Sequence, residues 1–266
     1  MEARNVKHSV FTVVAKEFGT VRQTAEKVRE LGYDGIEWRI HPDYHIAPDK
    51  VEEVAQEVGA ICRALNLEIP CLCTYLLSHE KALIEKVMRG AGAMGCPAIR
   101  VRDPHYTGNE NIHGLIERTL AELADVEKLS RRHKVKALLE THMGRIGASP
   151  AVTYELVRRF DPACIGAILD PGNMVVEGMM HWKMAMELLG PYLCSVHVKN
   201  AGWTKGADGK WSYAFMRLEE GAVDWKVVIN YLKEIGYTGY LTNENFADVP
   251  ASAKLASDLA YMKSLL

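Results

Sequence analysis

The sequence of 266 residues predicts a (β/α)8 TIM barrel of the α/β class, a closed ring of eight parallel strands surrounded by helices. Eight short apolar segments alternate with helical segments, and this alternation predicts a parallel sheet. The length is close to the roughly 250 residues typical of such a barrel. Four of the strands end on a carboxylate or a histidine, and in a closed barrel all C-terminal strand ends meet at one face. We therefore expect a single domain over residues 1–266, with its site at that face.

The first half of the chain alternates strands and helices in the expected order. Thr20 is a typical N-cap and Gly32 a typical helix terminator. The segment from Gly90 to Gly95 matches G-x-G-x-x-G, but it follows a helix and precedes a strand, so we expect it to end the helix and not to bind a dinucleotide. The strands predicted here are residues 9–14, 35–39, 69–74 and 98–102, and the helices are residues 20–31, 48–65, 79–90 and 111–133.

The second half repeats the pattern with one long connection. Ser149 followed by Pro150 is a typical helix start. Residues 200–221 follow the seventh strand, and a connection this long is usually functional, so we expect a loop that covers the site with Trp203 and Trp211. The strands predicted here are residues 135–142, 164–170, 194–199 and 239–244, and the helices are residues 150–160, 182–189, 225–235 and 251–266.

Composition narrows the class of protein. A hydrophobic content of 48% with 25% charged residues is ordinary for a globular chain, and a net charge of −2 argues against nucleic acid as the main partner. The N-terminus lacks a signal-peptide layout, and no apolar run reaches the roughly 18 residues of a membrane span. We expect a cytoplasmic protein without membrane contact. Six cysteines without paired C-x-x-C spacing are expected to be free thiols, most of them buried.

Four candidate metal ligands stand at or near the C-terminal ends of predicted strands. They are Glu140, Asp170, His197 and Glu244. Their sequence neighbours in the same strands are apolar and suit packing against the outer helices: Leu139, Leu169, Val196, Val198 and Leu241. Because side chains alternate between the two faces of a strand, the four candidate ligands should point towards the barrel axis.

A divalent metal ion is the interpretation that explains these four residues together. Taken singly, Asp170 before Pro171 could be a turn residue, and Glu244 could cap a helix. Together they imply three inward carboxylates, which are expensive to bury without positive charge. Three oxygen ligands and one nitrogen suit Mn²⁺, Mg²⁺, Co²⁺ or Zn²⁺, and we expect Mn²⁺ because the donor set is hard and rich in oxygen.

Five motifs in this chain resemble the xylose isomerase-like barrels. The similar group is the sugar phosphate isomerase/epimerase family, which includes tagatose and psicose 3-epimerases, hydroxypyruvate isomerase and inosose dehydratase. The resemblance extends over nearly the whole chain. The residues that carry it are Gly35-Ile36-Glu37, Leu139-Glu140-Thr141-His142, Leu169-Asp170-Pro171-Gly172-Asn173, Val196-His197-Val198-Lys199 and Glu220-Gly221-Ala222-Val223-Asp224-Trp225.

The resemblance implies a single divalent metal held by the four candidate ligands, with Glu140 and Glu244 also acting as acid and base. Further candidates for contacts to the substrate are Glu37, Arg39, His142, Asn173 and Lys199. An ion pair between Glu37 and Arg39 is the structural alternative for those two residues. Epimerases of this group often carry a histidine where this chain has Asn173. Endonuclease IV is similar in fold, but this chain lacks several of its histidine ligands, so DNA repair is not expected.

The expected reaction begins with removal of the proton next to a carbonyl, which gives an enediolate. Return of the proton gives epimerisation or isomerisation of a small sugar or keto-polyol. The alternative is a lyase or dehydratase acting on a keto-inositol or 3-keto-glycoside, in which a substituent leaves instead. No glycine-rich phosphate cradle precedes a helix, which favours an unphosphorylated carbohydrate substrate. We also expect a homo-oligomer, a dimer or a tetramer.

Overall fold

A closed barrel of eight parallel strands forms the centre of the computed structural model, which describes residues 6–266. The barrel strands in chain order are β1 (Lys7–Phe11), β2 (Gly35–Arg39), β3 (Leu72–Leu77), β4 (Ala98–Arg102), β5 (Lys136–Glu140), β6 (Ile165–Leu169), β7 (Leu193–Val198) and β10 (Tyr240–Asn243). Strands β8 (Asn200–Lys205) and β9 (Trp211–Met216) form a separate two-stranded sheet. Around the barrel the order is β1-β10-β7-β6-β5-β4-β3-β2. The predicted fold class is confirmed.

Helices cover the outside of this barrel. They are α1 (Val21–Glu30), α2 (Val51–Ala64), α3 (Lys81–Met94), α4 (Ile112–His133), α5 (Pro150–Val157), α6 (Pro171–Val176), α7 (Trp182–Leu189), α8 (Trp225–Glu234) and α9 (Ala251–Leu265). Thr20 caps α1, Ser149 caps α5 ahead of Pro150, and Gly95 ends α3 in the left-handed conformation, all as predicted. Within residues 6–266, no helix is both long enough and apolar enough to cross a membrane.

Several boundaries differ from the prediction for identifiable reasons. Strand β3 begins after Pro70, which has no N–H to donate to a neighbouring strand. Helix α3 continues past Gly90 to Met94. Gly90 does not end the helix; it lies where α3 approaches Val51 of α2, and a Cβ there would lie 2.8 Å from a Val51 methyl. Strand β1 ends at Phe11, and residues 12–14 form a 3₁₀ turn.

A hairpin and a short helix were not predicted. The connection expected to be a loop contains the antiparallel hairpin β8–β9, in which Trp203 pairs with Tyr213. Helix α6 begins directly after β6, with Asp170 as its N-cap. It spans 6 residues, too few for a periodic pattern to be visible in the sequence.

The apolar residues form a core in two layers, as the alternation predicted. Inside the barrel, Phe11, Cys73, Leu138 and Ile168 pack together. Between the strands and the helices lie the outward residues of each strand, Leu139, Leu169, Val196, Val198 and Leu241. All six cysteines are free thiols, five of them buried and Cys194 half-buried.

Gly178 provides a test of this packing. Its φ of +86° is in the left-handed region, and a Cβ there would overlap the carbonyl oxygen of Ala148. Gly178→Ala should therefore lower the free energy of unfolding by roughly 2–4 kcal/mol, measured by urea denaturation. The matched control is Gly92→Ala in α3, where a Cβ meets nothing within 4 Å. This change should raise stability by about 1 kcal/mol, and equal effects of the two substitutions would contradict the packing described.

His8 should make stability depend on pH. Burial lowers the pKa of His8 to about 4, against an ordinary value of 6.5. The unfolded chain therefore takes up the proton first, and stability is lost as the pH falls from 6.5 towards 4. Between pH 7.5 and pH 5 this residue should contribute a loss of about 2 kcal/mol in the free energy of unfolding. The loss should be absent from His8→Gln and retained in the control His113→Gln, whose histidine is exposed on α4.

Candidate metal centre

The four predicted ligands converge at the C-terminal ends of neighbouring strands. Glu140 ends β5, Asp170 follows β6, His197 lies in β7 and Glu244 follows β10. All four are at most 5% exposed. One donor atom from each of them lies within 4.8 Å of the others. Residues up to 104 positions apart in sequence are therefore brought into one cluster by the closure of the barrel.

The donor atoms of the cluster fit a single divalent cation. The Nδ1 atom of His197 lies 3.1 Å from Glu140 Oε1, 3.1 Å from Glu244 Oε2 and 3.8 Å from Asp170 Oδ2. Three carboxylates and one imidazole are a donor set typical of Mn²⁺ or Mg²⁺ with some tolerance for Zn²⁺. The other ring nitrogen, Nε2, lies 3.3 Å from Glu37 Oε2, so a proton there would leave Nδ1 free to accept a metal bond.

Asp170 serves both the helix and the cluster. Its Oδ1 atom accepts a hydrogen bond of 2.9 Å from the backbone N–H of Asn173 and thereby caps α6. Its Oδ2 atom accepts a hydrogen bond of 2.9 Å from the side-chain amide of Asn173 and faces the cluster. The turn residue and the ligand are thus compatible roles for Asp170. Glu244 caps no helix, since α9 begins after Pro250.

Lys199 supplies positive charge to the cluster. Its Nζ atom lies 2.7 Å from Asp170 Oδ2 and 2.6 Å from Glu244 Oε2. Although burial opposes ionisation, the ammonium group and His197 hold the pKa of Glu244 below its ordinary value. From the sequence, the inward carboxylates were expected to lack positive partners. This expectation is wrong for Asp170 and Glu244, which both contact Lys199.

Two arginines that the sequence reasoning did not single out complete the charge balance. Arg100 Nη1 donates to Glu140 Oε2 at 2.7 Å, and Arg102 Nη2 lies 3.6 Å from the same oxygen. Against the effect of burial, the two guanidinium groups hold the pKa of Glu140 well below its usual range. A signal was present in the sequence, because both arginines share the inward parity of Ala98 in a strand of otherwise apolar residues.

The pKa values of the two remaining groups of the cluster, Asp170 and His197, are both raised. Burial, reinforced by the charges of Glu244 and Glu140, raises the pKa of Asp170 to about 7 despite the proximity of Lys199. Burial alone would lower the pKa of His197, but its hydrogen bonds to Cys73, Glu140 and Glu244 raise it well above the ordinary value. Crowded carboxylates beside an imidazole are the arrangement that a bound cation would relieve.

Glu37 and Arg39 do not form the ion pair considered from the sequence. Glu37 accepts hydrogen bonds from Cys73 at 3.1 Å and from Thr242 at 2.8 Å, besides facing His197. The guanidinium carbon of Arg39 lies 4.0 Å from the ring centre of Tyr44. Glu37 is therefore in contact with the candidate ligand His197, whereas Arg39 lies further out.

The two other expected substrate contacts are also near the cluster. Asn173 is buried, and its Oδ1 atom has no hydrogen-bond partner among the described residues. His142 is half-buried, and its Nδ1 donates to the carbonyl of Met143 at 2.8 Å. Burial and the nearby charge of Arg102, opposed by Glu140, lower the pKa of His142 to about 4. His142 is therefore neutral near pH 7.

The hairpin β8–β9 reaches the cluster through its aromatic residues. The Nζ atom of Lys199 lies 5.9 Å from the ring centre of Phe215 and 5.5 Å from that of Phe246. Trp203 and Trp211 are 45% and 63% exposed on the outer part of the hairpin. The long connection thus reaches the site through Phe215, and Phe246, which follows β10, lies on the same ammonium group.

A separate cavity of about 580 Å³ opens at the other end of the barrel. It is lined by the first residues of several strands, among them Ala98, Lys136 and Tyr240, and Glu37 borders its inner end. Barrels of this class carry their sites at the C-terminal face, where the four ligands lie. The four candidate ligands, and not this cavity, therefore form the candidate functional site.

Fold and cluster together define a class of protein, a (β/α)8 barrel with a candidate metal centre of three carboxylates and one histidine at its C-terminal face. The chain belongs to the xylose isomerase-like TIM barrel family, whose sequence profile matches residues 25–265. A search of curated protein sequences found no match.

Solved structures similar to this chain share its fold at low identity. The apo form of 3-keto-D-glucoside 4-epimerase from E. coli is 16% identical with a TM-score of 0.78, covering 98% of this chain and 100% of its own. D-psicose 3-epimerase with D-tagatose from Clostridium cellulolyticum H10 is 17% identical with a TM-score of 0.74, covering 98% and 99%. A xylose isomerase-like TIM barrel protein from Mycobacterium smegmatis in complex with magnesium is 16% identical with a TM-score of 0.74, covering 100% and 98%.

The metal centre can be tested by direct binding. Titration of Mn²⁺ into the chelator-treated protein should show one site by calorimetry, and Asp170→Asn or His197→Ala should weaken binding by at least about 100-fold, because each removes one of four ligands. The control Asp49→Asn alters an exposed carboxylate and should leave the Kd unchanged. Binding of similar strength in all four proteins would exclude this cluster as the metal site.

Proposed function

We propose that the protein is a divalent-metal-dependent sugar isomerase or epimerase that removes a proton next to a carbonyl and returns it through an enediolate. The observation that carries this proposal is the pair Glu140 and Glu244, two buried carboxylates on different strands, each 3.1 Å from the same nitrogen of His197. Two such groups beside one metal position provide a base and an acid for a substrate bound there.

The proposed metal ligands are Glu140, Asp170, His197 and Glu244, and the proposed ion is Mn²⁺, with Mg²⁺, Co²⁺ and Zn²⁺ as alternatives. Support comes from the donor set and from the magnesium complex of the M. smegmatis protein. When bound, the metal would act as a Lewis acid that polarises the carbonyl of the substrate.

The side chains of this chain would transfer the proton. Glu140 and Glu244 are held in the ionised form by Arg100 and Lys199, as a proton acceptor must be. One carboxylate would take the proton from the carbon next to the carbonyl, and the other would return it from a second direction. The ammonium group of Lys199 would stabilise the negative charge that develops on the substrate oxygen.

The neighbouring residues are proposed to orient these groups. Glu37 would accept the Nε2 proton of His197 and so fix the tautomer that leaves Nδ1 free for the metal. Asn173 holds Asp170 through its amide group, and its buried Oδ1 atom is available to a substrate hydroxyl. His142, neutral near pH 7, would offer a hydrogen bond without adding charge.

Similarity to solved structures favours a carbohydrate substrate, since two of the similar proteins are epimerases of D-psicose and of a 3-keto-D-glucoside.

A lyase or dehydratase acting on a keto-inositol or 3-keto-glycoside is the second candidate. Lys199 is the observation that favours it, because a buried ammonium group next to Glu244 would stabilise the negative charge that develops on a leaving oxygen.

Solvent deuterium incorporation tests the proposed chemistry. Metal-loaded protein in heavy water, with a panel of ketoses, keto-inositols and keto-glycosides, should place deuterium on a carbon next to the carbonyl, detected by NMR and mass spectrometry. Glu140→Gln and Glu244→Gln should each reduce the exchange rate by at least about 100-fold, because each removes one proton-transfer group. Retained product mass would identify an epimerase or isomerase, and loss of water or an aglycone would identify a lyase.

The matched control is Glu220→Gln, which changes an exposed glutamate and should retain the exchange rate. Treatment with a chelator should abolish exchange, and added Mn²⁺ should restore it. Exchange that persists in both Glu140→Gln and Glu244→Gln would show that other groups move the proton.

A further inference from the structure

Four arginines that have few anionic partners lie beside the metal cluster. We call Arg39, Arg100, Arg102 and Arg145 the arginine cluster. Arg39 ends β2, Arg100 and Arg102 lie in β4, and Arg145 follows β5. The barrel mouth is therefore divided into a half that carries the metal ligands and a half that carries arginines.

Three of these guanidinium groups surround one aromatic ring. The guanidinium carbons of Arg39, Arg100 and Arg102 lie 4.6 Å, 5.0 Å and 4.7 Å from the ring centre of Tyr75 in β3. Arg100 is fully buried and Arg102 is 4% exposed. Guanidinium groups stay charged in proteins, so like charges are held close together in a region with little water.

Each member of the arginine cluster has an unused hydrogen-bond donor. In the described part of the chain, no partner is found for the buried nitrogens Nε of Arg39, Nη2 of Arg100, Nε of Arg102 and Nε of Arg145. Buried N–H groups are nearly always satisfied in proteins, and one left unsatisfied is destabilising. Four unused donors on neighbouring cations indicate a missing acceptor.

The carboxylates nearby are too few to neutralise these charges. Within residues 6–266, Glu140 is the one carboxylate at ion-pair distance from Arg100 and Arg102, and Arg39 and Arg145 make no side-chain ion pair. Asp103 is also buried beside Arg145, but its Oδ2 atom accepts from the backbone N–H of Gly147, and Arg145 Nη1 donates to the backbone carbonyl of Asp103. Glu140 is also a proposed metal ligand, so its charge is shared among two guanidinium groups and the metal position. Stacking on Tyr75 attracts each cation to the face of the ring but leaves the N–H groups unbonded.

We propose that the arginine cluster binds an anionic group of the substrate, a carboxylate or a phosphate, while the metal centre holds the carbonyl end of the same molecule. The substrate class is then an acidic sugar or a sugar phosphate, an inference that rests on the proposed function. The forked N–H groups of arginine match the oxygens of both anions. The contact of 2.7 Å between Arg100 and Glu140 places the two subsites side by side, within the length of one small sugar.

A sugar phosphate would depart from the sequence-based expectation of an unphosphorylated substrate, whereas an acidic sugar would agree with it. That expectation rested on the absence of a glycine-rich cradle ahead of a helix. Arginine side chains from separate strands can bind the same anions, but their convergence depends on the closed barrel and has no contiguous motif.

Binding of matched probes tests the proposal. Calorimetry on the Mg²⁺-loaded protein would compare D-gluconate with D-glucitol, and D-fructose 6-phosphate with D-fructose. At least one anionic probe should bind at least about 30-fold more tightly than its neutral counterpart, given the strength of charge-assisted hydrogen bonds. Preference confined to D-gluconate would assign a carboxylate to the substrate, and preference confined to D-fructose 6-phosphate would assign a phosphate.

Arg102→Met should weaken binding of the preferred anion by at least tenfold. Arg39→Met, which leaves both guanidinium partners of Glu140 in place, should weaken it as well and leave the Mg²⁺ affinity unchanged. Inorganic phosphate titrated into the metal-free protein and followed by ³¹P NMR should show the same loss, which separates binding by arginine from binding by metal. The matched control is Arg118→Met, an exposed arginine of α4 paired with Glu110. Arg39→Met serves as a second variant if circular dichroism shows that Arg102→Met is unfolded.

Equal affinity for the charged and neutral member of both pairs in the folded, metal-loaded protein would overturn the proposal. So would equal losses in Arg102→Met and Arg118→Met. These outcomes are independent of the proposed reaction, which is tested separately by deuterium exchange and by Glu140→Gln. Anion binding that is lost in Arg102→Met, together with no exchange on any ketose, would retain the arginine cluster and reject the isomerase.

Discussion

Compensation of buried charge at the C-terminal ends of the strands is the constraint on which the rest of this site depends. Glu140 lies at its centre, with Arg100 Nη1 at 2.7 Å and His197 Nδ1 at 3.1 Å. Lys199 plays the same part for Asp170 and Glu244. Removing one partner from such a group leaves an uncompensated buried charge, which destabilises proteins by about 3–5 kcal/mol. The side chains of the site therefore depend on one another for their presence in the interior.

Strand register brings the ligands together at different heights along their strands. Glu140 pairs with Ile168 of β6, and Ile168 pairs with Ser195 of β7. Asp170 and His197 therefore each lie two residues closer to the C-terminal end of the barrel than Glu140 does. His197 is in turn level with Thr242 of β10, and Glu244 lies two residues further. An offset of two residues keeps the side chains on the same face of the sheet. The strand tilt of a closed barrel then allows such staggered positions to converge.

Much of the fold and of the candidate site could be predicted from local patterns. Inward and outward positions followed from alternation, which placed Leu139 outside the barrel and Glu140 inside it. The capping residues Thr20 and Ser149 were visible because caps depend on the side chain itself and on its immediate neighbours. The role of Asp170 could not be predicted in this way. In the sequence, a turn residue and a metal ligand looked like alternatives. In the structure, one carboxylate oxygen caps α6 and the other faces the cluster.

The sequence by itself determined the order of strands and helices and the four residues whose side chains face the barrel axis, because these depend on periodicity within single segments. The count of eight alternating strands indicated a closed parallel barrel. The tertiary structure alone decided which charges meet. The sharing of Glu140 between Arg100 and His197, the contact of Lys199 with two carboxylates and the grouping of arginines around Tyr75 all join residues from different strands. Such contacts depend on register and on barrel closure, which no single segment specifies. The hairpin β8–β9 also belongs to this second group, since its pairing of Asn200 with Met216 brings the ring centre of Phe215 to 5.9 Å from Nζ of Lys199.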